Sequence, residues 1–185
     1  MSTTALPAAA ATPFEVLVDY ERRSLAHVAG MPEQIEAPGL WRGIGFRLGE
    51  RSFISGIGEV SELLVMPVLT SVPGTRKWLL GVANVRGTLV PVIDLRQYLY
   101  QERTEIDDRS RVLLIRQSGG AIGLLVDEIL GQRNLTDEQR GDARQEDDER
   151  LQRFVVENVT LGDRSWGVFD MSSLVKATDF QQAAL

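Results

Sequence analysis

The chain has 185 residues, 43% of them hydrophobic, and sets 20 Lys and Arg against 26 Asp and Glu for a formal net charge of −6. That length suits one domain, or two small subdomains sharing a core, and the apolar share is ordinary for a globular protein. Without cysteine and with a single histidine, His27, disulfides, thiolate metal sites and cysteine nucleophiles are excluded and almost nothing is left for zinc, while arginines scattered along an acidic chain argue against a nucleic-acid partner.

Residues 1–12 are rich in Ala and Pro and uncharged. They predict a disordered leader, with neither the basic start nor the apolar centre of a signal peptide. No uncharged apolar run approaches the roughly 18 residues of a membrane helix, so a cytoplasmic protein is expected, reaching membranes only through a partner. A helix is predicted over residues 13–29: Thr12 caps, Pro13 fits the first turn, Glu15 closes a capping box, and Gly30 with Pro32 supplies the stop. Phe14, Leu17, Val18, Leu25 and Val28 fall on one face at helical spacing, a stripe expected to pack on the protein's own body. An irregular link follows to about residue 40.

From Trp41 the period becomes that of strands. Four hairpins are predicted, pairing 45–48 with 51–55, 82–85 with 88–93, 112–117 with 121–126, and 155–161 with 164–169, each across a glycine-bearing turn. Three returning strands end in Val-Ile-Asp94, Leu-Val-Asp127 and Val-Phe-Asp170, a weak internal repeat of the kind that small barrels carry. Single hairpins are marginal in water, so these must curl against each other. Residues 102–110 form a charged connector, and 136–153, crowded with Asp, Glu, Gln and Arg, predict a solvated loop with at most a helical turn.

Catalytic equipment is sparse. A Ser-His-Asp triad would need His27, on the leading helix and away from the strands. Gly43-Ile-Gly45 and Gly56-Ile-Gly58 lack the third glycine and the setting of a dinucleotide loop. Asp94, Asp127 and Asp170 leave open a small hydrolase with paired carboxylates. Their shared position favours the alternative, short acceptors that bond the backbone donors of the next turn or helical segment. An OB-like nucleic-acid binder is disfavoured by the charge and the few aromatic residues.

The segment Gly81-Val-Ala-Asn-Val-Arg-Gly-Thr-Leu-Val-Pro-Val-Ile-Asp-Leu-Arg96 resembles the signature of CheW-like domains. Blocks at 112–127, at 135–139 and from Leu161 to Leu174 are similar to later parts of the same family, so the resemblance covers about residues 41–177. It implies a mainly β fold, two packed five-stranded SH3-like barrels, here with an N-terminal helix and a short C-terminal helix. The corresponding division is a leader at 1–12, helix and linker at 13–40, the CheW-like domain at 41–178 and a tail at 179–185. The implied role is a non-catalytic adaptor without cofactors. It binds the regulatory domain of a CheA-type histidine kinase, and the cytoplasmic tip of a methyl-accepting chemoreceptor in an apolar groove between the barrels. A double barrel of this lineage that only scaffolds is the alternative. Carried over residue by residue, the implied partner-binding positions are Val60, Glu62, Leu63, Gly81, Asn84 and Arg86.

The residue chemistry is compatible with that assignment. Arg86, always charged, can meet a partner's carboxylate or hold Glu62 within the barrel. Val60 and Leu63 have opposite parity on a strand, so one is expected in the core and the other at a surface. Gly81 permits a close backbone approach or marks a bulge, and Pro91 suggests an edge or bulge position. Leu64 stands where some relatives carry Arg. The leading helix and the wording Gly-Val-Ala-Asn-Val-Arg-Gly resemble the PilI-type adaptors that serve type IV pili and twitching motility.

Overall fold

The structure, a computed structural model, describes residues 13–26, 40–117, 119–136, 139 and 148–183, the side chains of 24–26 excepted. The leader, the link, His27 and most of the charged run before residue 148 lie outside the described residues. The chain divides into two units, Met1–Ala37 and Pro38–Leu185. In the first, helix α1 spans Pro13–Ala26, and residues 27–29 of the predicted helix lie outside the described residues. Asp19 and Arg23 brace one face at 2.8 Å, one turn apart. Of the apolar stripe, Phe14, Leu17 and Val18 are exposed, and the side chains of Leu25 and Val28 lie outside the described residues.

Among the described residues the second unit holds ten strands. All four predicted hairpins are present: β1 (Leu40–Leu48) with β2 (Arg51–Gly56), β4 (Leu79–Val85) with β5 (Thr88–Asp94), β6 (Arg111–Gln117) with β7 (Gly120–Val126), and β9 (Val155–Leu161) with β10 (Arg164–Phe169). The alternation of period two and the glycine turns are sufficient to specify them. Two further strands, β3 (Val60–Val65) and β8 (Glu128–Thr136), complete a pair of five-stranded sheets ordered β8-β1-β2-β10-β9 and β3-β6-β7-β5-β4.

These orders are one order written twice. Mapping β8, β9, β10, β1, β2 onto β3, β4, β5, β6, β7 preserves every neighbour, including the parallel pairs β10–β2 and β5–β7. The chain begins in the first sheet, crosses to build the whole of the second, and returns. The duplication extends to single residues. Strand β5 runs into helix α2 (Leu95–Tyr100) and β10 into α4 (Met171–Lys176), each capped by the strand's last aspartate or its successor, Asp94 and Asp170. The backbone N–H of Asp94 donates to the carbonyl of Trp78, and that of Asp170 to the carbonyl of Phe154, both at 2.8 Å.

The first sheet is open, since among the described residues its end strands β8 and β9 do not pair. In the second, the chain beyond β3 returns to β4 through a single bridge, Thr70 with Val82 at 2.8 and 2.9 Å. The expected barrels are therefore strongly curled sheets rather than closed cylinders. Pro91 departs from expectation, because β5 lies between β4 and β7 and is not an edge. The missing N–H is tolerated because pairing with β7 starts only at Val92.

One apolar cluster joins the sheets. It unites Phe46, Phe53 and Phe169 of the first with Leu113, Leu124 and Val126 of the second, together with Trp78, Leu95 and Met171. Helix α3 (Glu149–Gln152) contributes the fully buried Leu151. Helix α5 (Thr178–Gln181) contributes Phe180, whose ring stacks on Trp78 at 5.8 Å.

Candidate docking surface

A groove of about 680 Å³ lies between the second sheet and helices α4 and α5. One wall belongs to the second sheet and the other to helices that follow the first. Gly58 and Glu59 precede β3, Ser61 lies on it, and Ile115–Gln117 end β6, while Met171, Ser172, Val175 and Lys176 belong to α4. Ile115 and Met171 are almost fully buried and form the floor, and Arg116 and Lys176 are exposed on the rim. Glu59 fastens the two parts. Its carboxylate accepts from the Ser55 hydroxyl (2.8 Å) and the Gly56 N–H (3.0 Å) on one side, and from the Ser172 N–H (3.2 Å) and hydroxyl (3.4 Å) on the other.

A second surface lies where edge strand β3 meets the β4–β5 hairpin across the Glu62–Arg86 pair. Leu63 and Val65 on β3, Val68 beyond it and Leu89 on β5 are exposed, Val68 by 94%. Large apolar side chains left in water on neighbouring elements mark an interaction surface more often than a bare one.

The six sequence-assigned residues fall around this second surface. Glu62 and Arg86 are brought together by an ion pair of 2.6 Å, so the internal alternative for Arg86 is the one realised within the chain. Arg86 and Gly87 carry φ of 52° and 84°, the doubly left-handed pair of a type I′ hairpin. Asn84 Oδ1 accepts the Gly87 N–H at 2.8 Å and steadies that turn. Val60 packs against the shared core and Leu63 is exposed, as their parity required. Gly81 serves both of its open readings: the register shifts at Leu79/Gly81, and a Cβ there would collide with the Thr70 carbonyl oxygen. None of the six lines the groove, although Val60 sits between Glu59 and Ser61, which do. The sequence reading missed the groove's own residues, above all Glu59, Arg116 and Lys176. The only local signal for any of them was the Asp170 cap that starts α4.

The three strand-end aspartates are all occupied. Asp94, wholly buried, accepts from the Gln97 N–H (3.0 Å), the Thr104 N–H (2.9 Å) and the Thr104 hydroxyl (2.8 Å). Asp170 accepts from the Ser173 N–H (3.0 Å) and hydroxyl (2.6 Å). Burial opposes its ionised form, yet these donors hold the carboxyl below its ordinary range. Asp127 breaks the repeat and caps no helix. It accepts from the Gly49 N–H and from Arg47 at 3.3 Å, joining the end of β7 to the β1–β2 turn. Among the described residues no group of three or more His, Cys, Asp or Glu is placed to hold a metal, and no helix is long and apolar enough to cross a membrane.

The profile of the CheW-like domain family matches residues 42–179. The chain belongs to that family. It is 37% identical to protein PilI of Pseudomonas aeruginosa over 174 residues, which is 94% of this chain and 97% of the relative. It is also 30% identical to protein FrzA of Myxococcus xanthus over 90 residues, 49% of this chain and 56% of that one. A crystal structure titled as scaffolding protein TtCheW of Thermoanaerobacter tengcongensis shares the fold, with a TM-score of 0.62 and 22% identity over 70% of this chain and 88% of that one. Membership places the duplicated sheets within a known lineage.

Proposed function

We propose that this CheW-like chain is a non-catalytic coupling protein. It docks the cytoplasmic tip of a methyl-accepting chemoreceptor onto the regulatory domain of a CheA-type histidine kinase, in a pathway that controls type IV pilus twitching motility. The observation that carries the proposal is the pairing of two unlike surfaces on one shared core, a groove between the second sheet and α4 and an exposed apolar edge. A groove suits a helical tip, and an exposed apolar edge suits another small β domain. The pilus assignment draws on the likeness to PilI along nearly the whole chain. In this reading Leu63, Asn84 and Arg86 meet the partner, Glu62 orients Arg86, Gly81 holds the Thr70 bridge, and Val60 links the edge to the groove. The protein works in the cytoplasm and joins receptor arrays through its partners.

Coupling of this kind is positional. A receptor shift worth about 1–3 kcal/mol passes to the kinase because one body touches both. The test is reconstitution of the full chain with the native receptor's cytoplasmic fragment and the native kinase. Kinase activity that responds to the receptor only when the chain is present supports the proposal. Binding of neither partner, or turnover by the chain alone, overturns it.

A further inference from the structure

The groove carries two cations, one on each wall, neither of them paired with a carboxylate. Arg116 is the penultimate residue of β6 in the second sheet, and Lys176 ends α4, which follows the first sheet. Both are exposed, and among the described residues neither forms an ion pair or hydrogen bond. The groove's carboxylate, Glu59, is held by Ser55, Gly56 and Ser172. Between the cations run Ile115, Met171 and Val175. A chain of net charge −6 thus shows a cationic rim at its groove.

We infer that the groove selects a helix with an apolar stripe flanked on both sides by carboxylates, one opposite Arg116 and one opposite Lys176. An amphipathic helix seats its stripe at i, i+3, i+4 and i+7 on an apolar floor, which leaves its flanking positions at the two rims. Acidic flanks there meet cations that have no other partner, while basic flanks meet like charge. Such rim contacts decide between partners and speed encounter more than they add affinity. This deepens the coupling proposal and rests on its assignment of the receptor tip to the groove, so Arg116 and Lys176 act as specificity residues toward the receptor alone.

The experiment measures binding of the full chain to the native receptor's cytoplasmic fragment and, separately, to the native kinase, at low and high salt. The R116E/K176E double variant is expected to keep the wild-type melting temperature and kinase affinity. It should lose receptor affinity on the order of tenfold at low salt, exposed ion pairs being individually weak, and reverse its salt dependence, because salt then screens a repulsion. Acid-to-lysine changes on the receptor tip should restore binding to the double variant and weaken binding to the wild type. A wild type that binds the receptor, with a double variant that binds it equally well at both salts, overturns the charge rule and leaves the coupling proposal standing. A wild type that binds no receptor fragment overturns both.

Discussion

Arg86 reaches from the β4–β5 turn to Glu62 on β3 at 2.6 Å, although its side chain is 79% exposed. The pair closes the edge of the second sheet on the side where β3 and β4 lack strand pairing. Exposed pairs of this kind are worth about 0–1 kcal/mol, so Arg86→Glu should unfold at nearly the wild-type urea midpoint while binding at least one partner more weakly. The swap Glu62→Arg with Arg86→Glu separates the roles, since it rebuilds the internal pair with the charges exchanged. If the swap restores partner binding, Arg86 acts by bracing the turn. If binding stays weak, Arg86 touches the partner itself. Wild-type binding of both partners by Arg86→Glu would place this arginine in the fold alone.

Gly81 combines a φ of 148° with a Cβ position blocked by the Thr70 carbonyl oxygen. Gly81→Ala must therefore strain the backbone and push away the bridge that joins the two ends of the second sheet. A loss of about 1–3 kcal/mol is expected by urea denaturation. Amide exchange of Thr70 and Val82 should accelerate more than that of the β6–β7 ladder. Uniform acceleration would show that the bridge is not a separate unit of stability.

The hairpins were legible because each is local, with side chains alternating over six or seven residues around a glycine turn. The duplication was half legible through Asp94 and Asp170, whose strand-end position reflects equivalent places in the two sheets. Asp127 ends an apolar run in the same way yet does something else, because its partners Arg47 and Gly49 lie about eighty residues away. Nothing near Asp127 in sequence distinguishes it. The Arg86–Glu62 pair was foreseeable from charge and reach, whereas Arg116, Lys176 and Glu59 are brought together by α4 lying against the second sheet. A single chain's pattern holds no period for that. Pro91 misled because a missing N–H matters only where a neighbour would accept it, and pairing with β7 begins only at Val92.

Asp94 and Asp170 should separate a structural carboxylate from a catalytic one. An amide at residue 94 would offer donors toward Thr104, which already donates from both its N–H and its hydroxyl. Asp94→Asn is expected to cost about 1–3 kcal/mol, the price of mismatched buried hydrogen bonds. Asp170→Asn, at a partly exposed cap, should cost about 0.5–2 kcal/mol. Both variants should keep coupling activity in reconstituted complexes at temperatures where they remain folded. A folded Asp94→Asn variant that has lost a measurable hydrolytic activity of the wild type would revive the paired-carboxylate reading.

Acid stability should carry a signature of Asp179. Arg153 holds it through bonds of 3.1 and 2.8 Å, and the Tyr98 hydroxyl donates at 3.0 Å. Arg153 is the chief cause that draws the carboxyl from about 3.8 down to about 2, while burial of the Tyr98 hydroxyl and its bond to Asp179 push the phenol up. A folded pKa below the unfolded one means that the charged form stabilises the fold. That contribution is complete above the unfolded value and fades as pH falls toward about 2. Asp179→Asn should therefore lie below the wild type in urea midpoint at pH 5 to 7, by a margin that narrows between about pH 4 and 2. The side chain is 55% exposed, so added salt should shrink the margin. A margin that is constant from pH 7 to 2 would mean that the asparagine loses shape complementarity rather than charge, and that the Arg153–Asp179 clasp over α5 is not electrostatic.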